Sequence, residues 1–566
     1  MSLRPQQPIP PVPDDTARIA RAAFRRGNPY LLLRDRLGAV FDDAGFADLY
    51  PKLGQPAYAP WRLALVTLLQ FREGLSDRQA AEAVRGRIDW KYLLALDLAD
   101  AGFDFSVLCE FRGRLLEHAA TGRLLARILD TAREDGLLKA RGRQRTDSTH
   151  VLAAIRALNR LELLGETLRA ALNEVAAAAP DWLRGVAPPD WHDRYDRRVE
   201  NFRLPEAEAK REAYAVQVGA DGFQLLDALD RPDAPEGVPA LPKVGVLRRV
   251  WARHFERPAP DVGGPGGGGP VAVRLLPLRT RDGDNRPADR IESPYDLDAR
   301  FRTRAGREWV GYVAHFTETC DAGAPRLVVH VDTTDASVHE AMRVGPIHDA
   351  LADKGLAPSE HLVDAAYVAA DQLVAARARH GIDLVGPQRH DASWQSKDNG
   401  AFGLADFAVD WDRRVVRCPE GKPSAAWATY ANRKRPHRGA LVYVRFRAAD
   451  CRACPSRARC TRASPDRGRC LALYPRPEHE ALVAARARER TDEYRKLYAQ
   501  RQGIESTMSQ SVRAFGLRRA RYRGLAKAGL QHLATAAAIN LDRLAAWFAE
   551  RPLAPTRVSR FAALAA

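Results

Sequence analysis

The apolar positions change their period along the chain, and those changes divide it. From about 17 to 140 the spacing is helical, with Leu63, Leu65, Leu68 and Leu69 toward one face. Gly74 breaks that helix. Ser76-Asp-Arg-Gln79 opens the next as a capping box, the serine accepting from first-turn N–H groups while Gln79 reaches back. Helix–Gly-Leu-Ser–helix predicts a pair of the helix-turn-helix kind, a unit that serves plain packing or DNA docking. Residues 145–153 read as a short strand carrying Asp147, and a helical Ala/Leu/Glu-rich block follows from roughly 155 to 255. The Gly/Pro stretch 263–270 reads as a tether or loop tip. No Gly-Lys-Ser/Thr closes it, so it is not a phosphate loop.

From 308 the period shortens to two. Trp309-Val-Gly-Tyr-Val-Ala-His-Phe316 and Arg326-Leu-Val-Val-His-Val-Asp332 predict strands, and 338–355 a helix ending at Gly355. Glu360 to Asp364 is a third strand, Tyr367 to His380 a helix, and Ile382 to Gly386 a last strand. That order predicts an α/β core. Residues 390–476 are turn-rich with short strands such as Leu441 to Phe446, and helices resume over 477–550. The predicted segments are a proline-rich disordered tail (1–16) and a helical, helix-turn-helix-like DNA-binding domain (17–140). The first core strand (141–154), a helical insertion with the Gly-rich loop (155–300) and the rest of the core (301–389) follow. A β-rich insertion (390–476), the C-terminal helices (477–550) and a tail (551–566) complete the chain.

Composition narrows the function classes. A chain of 566 residues with 46% hydrophobic content builds several domains with a real core. A net charge of +17 favours a polyanionic partner, although an Arg- and Ala-rich composition also arises from genomic base bias. No apolar run approaches the roughly 20 residues that span a bilayer. The N-terminus lacks the apolar stretch of a signal peptide, so a cytoplasmic protein facing nucleic acid is expected.

Chemistry concentrates in three acids. At about 100° per residue, Tyr498, Arg501 and Glu505 fall on one helical face. A carboxylate, a cation and an aromatic then aim at one place, or form a solvated amphipathic face. Two-metal phosphoryl transfer needs carboxylates from distant elements, holding ions about 3.5–4 Å apart. Asp147 on the first strand, Asp364 at a strand end and Glu505 meet that demand with hard oxygen ligands suited to Mg²⁺. In a sheet ordered 3-2-1-4-5, strands 1 and 4 are neighbours, so Asp147 and Asp364 sit side by side. Asp332 competes on spacing but lies on strand 3, the edge of such a sheet.

With these residues the chain resembles bacterial insertion-sequence DDE transposases of the IS1182-like group. Thr146-Asp147-Ser-Thr-His, Ser293-Pro-Tyr-Asp296, Trp309-Val-Gly-Tyr and His361-Leu-Val-Asp364-Ala-Ala-Tyr367 carry the likeness. So do Cys418-Pro-Glu-Gly and Gly516-Leu-Arg-Arg-Ala-Arg-Tyr-Arg-Gly524. The resemblance implies an RNase H-like catalytic core and a metal-binding triad of Asp147, Asp364 and Glu505. The ions implied are two Mg²⁺, with Mn²⁺ as a substitute. Tyr498 and Arg501 match the Tyr-x2-Arg-x3-Glu signature of related transposases. That signature sets a basic residue seven positions after the glutamate; Val512 stands there and Arg513 comes one later.

Of the seven cysteines, Cys451-x2-Cys454-x5-Cys460 has thiolate spacing for a structural zinc site, and Cys418 in a knuckle-like turn is the expected fourth ligand. Cys470 is the alternative fourth ligand, and buried free thiols are the alternative to zinc. Arg433, Lys434, Arg435, Arg518, Arg519, Arg521 and Arg523 are candidate phosphate contacts. Trp394 and Trp427 are candidates for stacking on an extruded base or for core packing. The expected function is metal-dependent cleavage at transposon ends and transfer of the 3′-hydroxyl into target DNA. The expected partner is duplex DNA, with a homodimer in the DNA complex, in a nucleoid-associated bacterial protein. A repair or recombination nuclease of RNase H-like type, or a catalytically silent DNA-binding relative, are the alternatives.

Overall fold

Strand β1 (Arg143–Leu152) is the spine of the sheet, and its central residues Gln144 to Asp147 are all buried. In the computed structural model the described residues are 2–5, 8–257, 273–277, 290–389, 391, 393–431, 439–551, 560, 561 and 564. The Gly-rich stretch 263–270 and the basic residues Arg433, Lys434 and Arg435 lie outside them. A minor pair, β2 (Phe255–Glu256) and β3 (Arg274–Leu275), precedes the rest of the sheet. That remainder is β4 (Arg300–Arg304), β5 (Arg307–Thr319), β6 (Val328–Asp335), β7 (Glu360–Val363) and β8 (Asp383–Val385).

β1 runs antiparallel to β5 and parallel to β7, which runs parallel to β8. The outer edge of β5 is divided: β4 pairs with its first residues, to Gly311, and β6 with Tyr312 to Glu318. The central order is therefore β6-β5-β1-β7-β8, which is 3-2-1-4-5 when these five strands are counted along the chain. Gly311 marks the division. A Cβ there would stand 2.1 Å from the Val151 carbonyl oxygen, so only glycine lets β5 bend this close to β1.

Both faces of the mixed sheet are covered. The helix Val344–Asp353 packs on β6 and Ala370–His380 on β8; Gly503–Arg513 packs on β1 and the long helix Leu525–Phe548 on β6. Asn540 in that long helix accepts from the Val328 N–H at 2.8 Å and donates to the Val328 carbonyl at 2.8 Å. The same helix packs on Pro60–Glu73, where Arg72 pairs with Asp542 at 2.6 Å. In Pro60–Glu73 every residue from Pro60 to Phe71 except Arg62 is buried, wider than the one-sided stripe the sequence predicts. The N-terminal helices and the sheet consequently share one apolar core, which joins Leu68 and Phe111 to Val151, Phe316 and Ile504. Gly74 caps its helix in the left-handed region, and the Ser76–Gln79 capping box is formed.

Two outgrowths have cores of their own. Helices Arg160–Ala178, Glu208–Leu229 and Pro242–His254 enclose Leu164, Leu168, Leu225 and Trp251. The β-rich segment holds β9 (Ala408–Asp410) paired with β10 (Val415–Arg417). Its second sheet is β11 (Ala426–Ala431), β12 (Ala440–Arg445) and β13 (Cys470–Leu473), over a small core around Val416, Val444 and Leu473.

Two expectations differ from what is found. Within 1–16, Ser2 donates to the Gln55 and Gly54 carbonyls, each at 2.7 Å, and a helix Asp14–Ala23 has begun. The face carrying Tyr498, Arg501 and Glu505 is not one helix: Asp492–Ala499 gives way to a 3₁₀ turn at Gln500–Gln502 before Gly503–Arg513. Among the described residues no helix is long and apolar enough to cross a membrane.

Candidate active site

The strand register brings the first two acids together. Arg145 aligns with Leu362 and Thr146 with Val363, so the next step sets Asp147 beside Asp364, the first residue past β7. Each carboxylate is pinned by its own backbone: Asp147 accepts the Ser148 N–H at 2.7 Å, and Asp364 the Ala366 N–H at 2.8 Å. Glu505 enters from the first turn of Gly503–Arg513. Arg501 spans the gap, donating at 2.8 Å to Asp147 and at 2.8 Å to Glu505. A second guanidinium, Arg304 of β4, lies 3.5 Å from Asp364 and 2.6 Å from Glu340.

Burial is the main cause of a raised Asp147 pKa, to about 6, and the Asp364 and Glu505 carboxylates add to it. Arg501 and the Ser148 N–H oppose the rise and are outweighed. Burial depresses the Arg501 pKa, but Asp147, Tyr498, Glu505 and Asp364 together raise it. Tyr498 is raised by burial against Arg501, with Asp364 and Asp147 contributing. Its ring stacks on Tyr494 at 5.5 Å. Tyr367, at the end of the His-Leu-Val-Asp-Ala-Ala-Tyr motif, is buried and bonds His315 Nδ1 at 2.6 Å.

The helix break has a physical cause. Arg145 projects from β1, donates to the Gln500 carbonyl that a continuous helix would use, and pairs with Glu318 at 2.6 Å. A Cβ at Gly503 would stand 2.0 Å from the Arg145 guanidinium. Glu318 also takes Thr507 at 2.5 Å and Arg543 at 2.7 Å, fixing both C-terminal helices to β5. Arg145, Glu318, Arg304 and Glu340 were not singled out by the sequence. The only local signal was the Arg-x-Arg-x-Arg alternation at 300–304.

Asp332, the rejected competitor, stands on edge strand β6 and pairs with Arg343 at 2.6 Å. Val512 is half-buried, and Arg513 is exposed at its helix end. The basic run pairs alongside the end of β1: Leu152 donates to the Arg518 carbonyl at 2.8 Å and Ala520 to the Leu152 carbonyl at 2.9 Å. Arg518 Nε reaches Thr149 at 3.3 Å, and Arg519 is exposed. Arg521 is tied down, donating to Leu75 at 3.0 Å and lying 4.9 Å over Phe71, while Arg523 lies 5.4 Å over Tyr295. Asp296 of the Ser-Pro-Tyr-Asp motif accepts from Tyr312 and from the Gly524 N–H, fastening the run to β5.

Cys418, Cys451, Cys454 and Cys460 line one cavity of the β-rich insertion, whereas Cys470 is exposed on β13. The Cys460 pKa is raised by burial, with Cys451, Cys454 and Cys418 adding to the effect against Arg469. Cys418 heads a tight turn in which it donates to Lys422 and accepts from Gly421, whose φ is +74°. Trp427 packs edge-on against Trp411, and Arg462 lies 4.3 Å over Trp394, so each ring has a protein partner.

In kind, the donors fit a hard divalent ion: all three are carboxylates, and the charges of Asp364 and Glu505 act on Asp147 with a repulsion that a cation between them would relieve. In placement, Arg501 stands between Asp147 and Glu505. Among the described residues no group of three or more His, Cys, Asp or Glu side chains is placed to hold a metal ion, at the acids or at the cysteines.

Residues 417–545 match the family model described as Transposase DDE domain, and residues 21–114 match Transposase domain (DUF772). The first takes in Glu505, five of the seven cysteines and the basic run but neither Asp147 nor Asp364. Neither a curated protein nor a solved structure matches the chain. Transposases of the DDE class generally use divalent metals.

Proposed function

The chain carries the two transposase domains typical of IS1182-family transposases, and from that premise we propose that it cuts DNA at the ends of its element and joins the freed 3′-hydroxyl to target DNA. The catalytic core in this reading is RNase H-like, which the strand order and the parallel β1–β7 pair favour. The observation that carries the reading is the register that sets Asp147 beside Asp364, with Arg501 spanning from Asp147 to Glu505.

Asp147, Asp364 and Glu505 would hold two Mg²⁺ ions, or Mn²⁺. When bound, these supply polarisation of the attacking and leaving oxygens of an in-line displacement. The chain's own residues do the rest. Asp147 and Asp364 are anchored through backbone N–H groups, so their positions are set before substrate arrives. Arg501 neutralises the acid cluster and is placed to move to a phosphate oxygen as the ions take the carboxylates. Arg304 stands in the same relation to Asp364. Tyr498, stacked on Tyr494, walls the site and meets DNA with its exposed edge, and Arg513 with Arg518, Arg519 and Arg523 would contact phosphates. Water attacks phosphorus and the 3′-oxygen leaves as a hydroxyl; that hydroxyl then attacks a target phosphodiester and displaces its 3′-oxygen. Two ends held together would require a homodimer in the DNA complex.

A structural zinc on Cys418, Cys451, Cys454 and Cys460 is the second metal in this reading. It is supported by the shared cavity and by an insertion whose core is small.

The test is incubation with Mg²⁺, labelled duplex carrying the repeats that flank the gene, and a target plasmid. Cleaved ends together with joined product are expected. Cleavage with no joined product would make the protein a nuclease, and neither product would leave a silent DNA-binding relative.

A further inference from the structure

The hairpin of β4 and β5 is built to project a fixed cationic tip. Its turn residues Ala305 and Gly306 have φ of +50° and +74°, the left-handed pair of a tight two-residue turn whose twist matches the strands. Arg304 and Arg307 flank that turn in register. The hairpin is anchored: Arg302 donates to both oxygens of the buried Glu340, at 2.8 and 2.9 Å, and Arg304 shares one of them at 2.6 Å. Arg304 also reaches Asp364 at 3.5 Å, so the tip overhangs the acid cluster.

Arg518 arrives from the other end of the chain, on the segment that pairs alongside the end of β1, with Nε on Thr149, two residues from Asp147 on the same strand. His150, the residue after Thr149 on β1, is half-buried, its ring 5.5 Å from Trp309 of the same hairpin. Its pKa is lowered by burial first and then by Arg518, Arg307 and Arg304, which are the charges acting on it. Among the described residues Arg307 and Arg518 enter no ion pair. Three guanidiniums from two remote segments, two of them without a carboxylate, thus converge beside three acids. Such a concentration of like charge, held rigidly, is what an anion of extended shape would neutralise.

We propose that Arg304, Arg307 and Arg518 form a clamp that seats the phosphate backbone of duplex DNA across the acid cluster. The inference rests on the DNA-processing reading and extends it to a hairpin that neither family match includes. A polymer fits better than a free anion because the cationic surface continues. From Arg518 it passes the exposed Arg519 and reaches Arg521, bonded to Leu75 in the turn of the helical pair. Arg521 is committed to Leu75 and Phe71 and acts as a staple between domains. Arg307 and Arg518, in no ion pair among the described residues, keep guanidinium donors for a phosphate.

Anisotropy of a labelled duplex, titrated with salt, tests this on the full chain. Arg307→Gln and Arg518→Gln are each expected to lower the slope of log affinity against log salt by about 1, and the double variant by about 2. Affinity should fall several-fold with melting temperature unchanged, and Arg307→Lys should restore it. Arg184→Gln, on an exposed pair with Asp181 in the helical insertion, is expected to change nothing. A double variant with the wild-type slope would overturn the clamp, as would a loss that tracks lowered melting temperature without rescue by lysine. Displacement of the duplex by inorganic phosphate at matched ionic strength would replace the clamp with a small-anion site. If the unaltered protein binds no duplex, the DNA-processing reading itself fails, an outcome distinct from all of these.

Discussion

At the scale of single residues, the acid cluster depends on a pair that takes no part in chemistry. Arg145 and Glu318 are 3% and 0% exposed, and through Gln500, Thr507 and Arg543 they set where Arg501 and Glu505 stand. Breaking a buried pair leaves one charge uncompensated, at about 3–5 kcal/mol. Glu318→Leu is therefore expected to lower unfolding free energy by about that amount in a denaturant titration. Adding Arg145→Met should recover part of the loss. A Glu318→Leu protein within about 1 kcal/mol of wild type would show that the pair is not the support described. Asp147, Asp364 and Glu505 could be picked out as candidates because an acid within a short strand, an acid just past another and a Tyr-x2-Arg-x3-Glu spacing leave local marks. Arg145 and Glu318 left none, since each lies 173 residues from the other, and Arg304 left only the arginine alternation at 300–304, its partners lying 36 and 60 residues away.

At the scale of elements, two-residue alternation and helix punctuation located β5, β6, β7 and β8 and the helices between them to within a few residues. The break at Gln500–Gln502 was not legible, because a continuous helical pattern crosses it and the cause is Arg145 arriving from another strand. Gly503 is the local trace of that arrival. The β-rich insertion presents a different problem, since its core is small for the number of turns it holds. If zinc supplies the missing stability, purified protein should carry about one equivalent, and Cys418→Ser or Cys454→Ser should release it and lower melting temperature. Cys470→Ser, outside the cavity, should keep the metal. Less than half an equivalent in the unaltered protein, or equal loss from Cys470→Ser, would remove zinc from the account.

At the scale of the whole molecule, the N-terminal helices are not a tethered module. The Leu525–Phe548 helix packs on both Pro60–Glu73 and β6, and Arg521 joins the C-terminal basic run to the turn at Leu75. If the helical pair binds DNA, that DNA sits at a set distance from Asp147, and the positive charge of the chain has a directed use. Sequence composition revealed the charge but not the path, because the path joins residues from three distant segments. In the proposed mechanism, Asp147, Asp364 and Glu505 act together on a phosphodiester through shared divalent ions. The most direct test is the single-turnover cleavage rate against Mg²⁺ concentration for Asp147→Asn, Asp364→Asn and Glu505→Gln, with duplex binding measured in parallel. Each variant is expected to lose at least about 100-fold in rate while binding DNA within about twofold of wild type. Cleavage at the wild-type rate by any one of the three, Glu505→Gln above all, would contradict it.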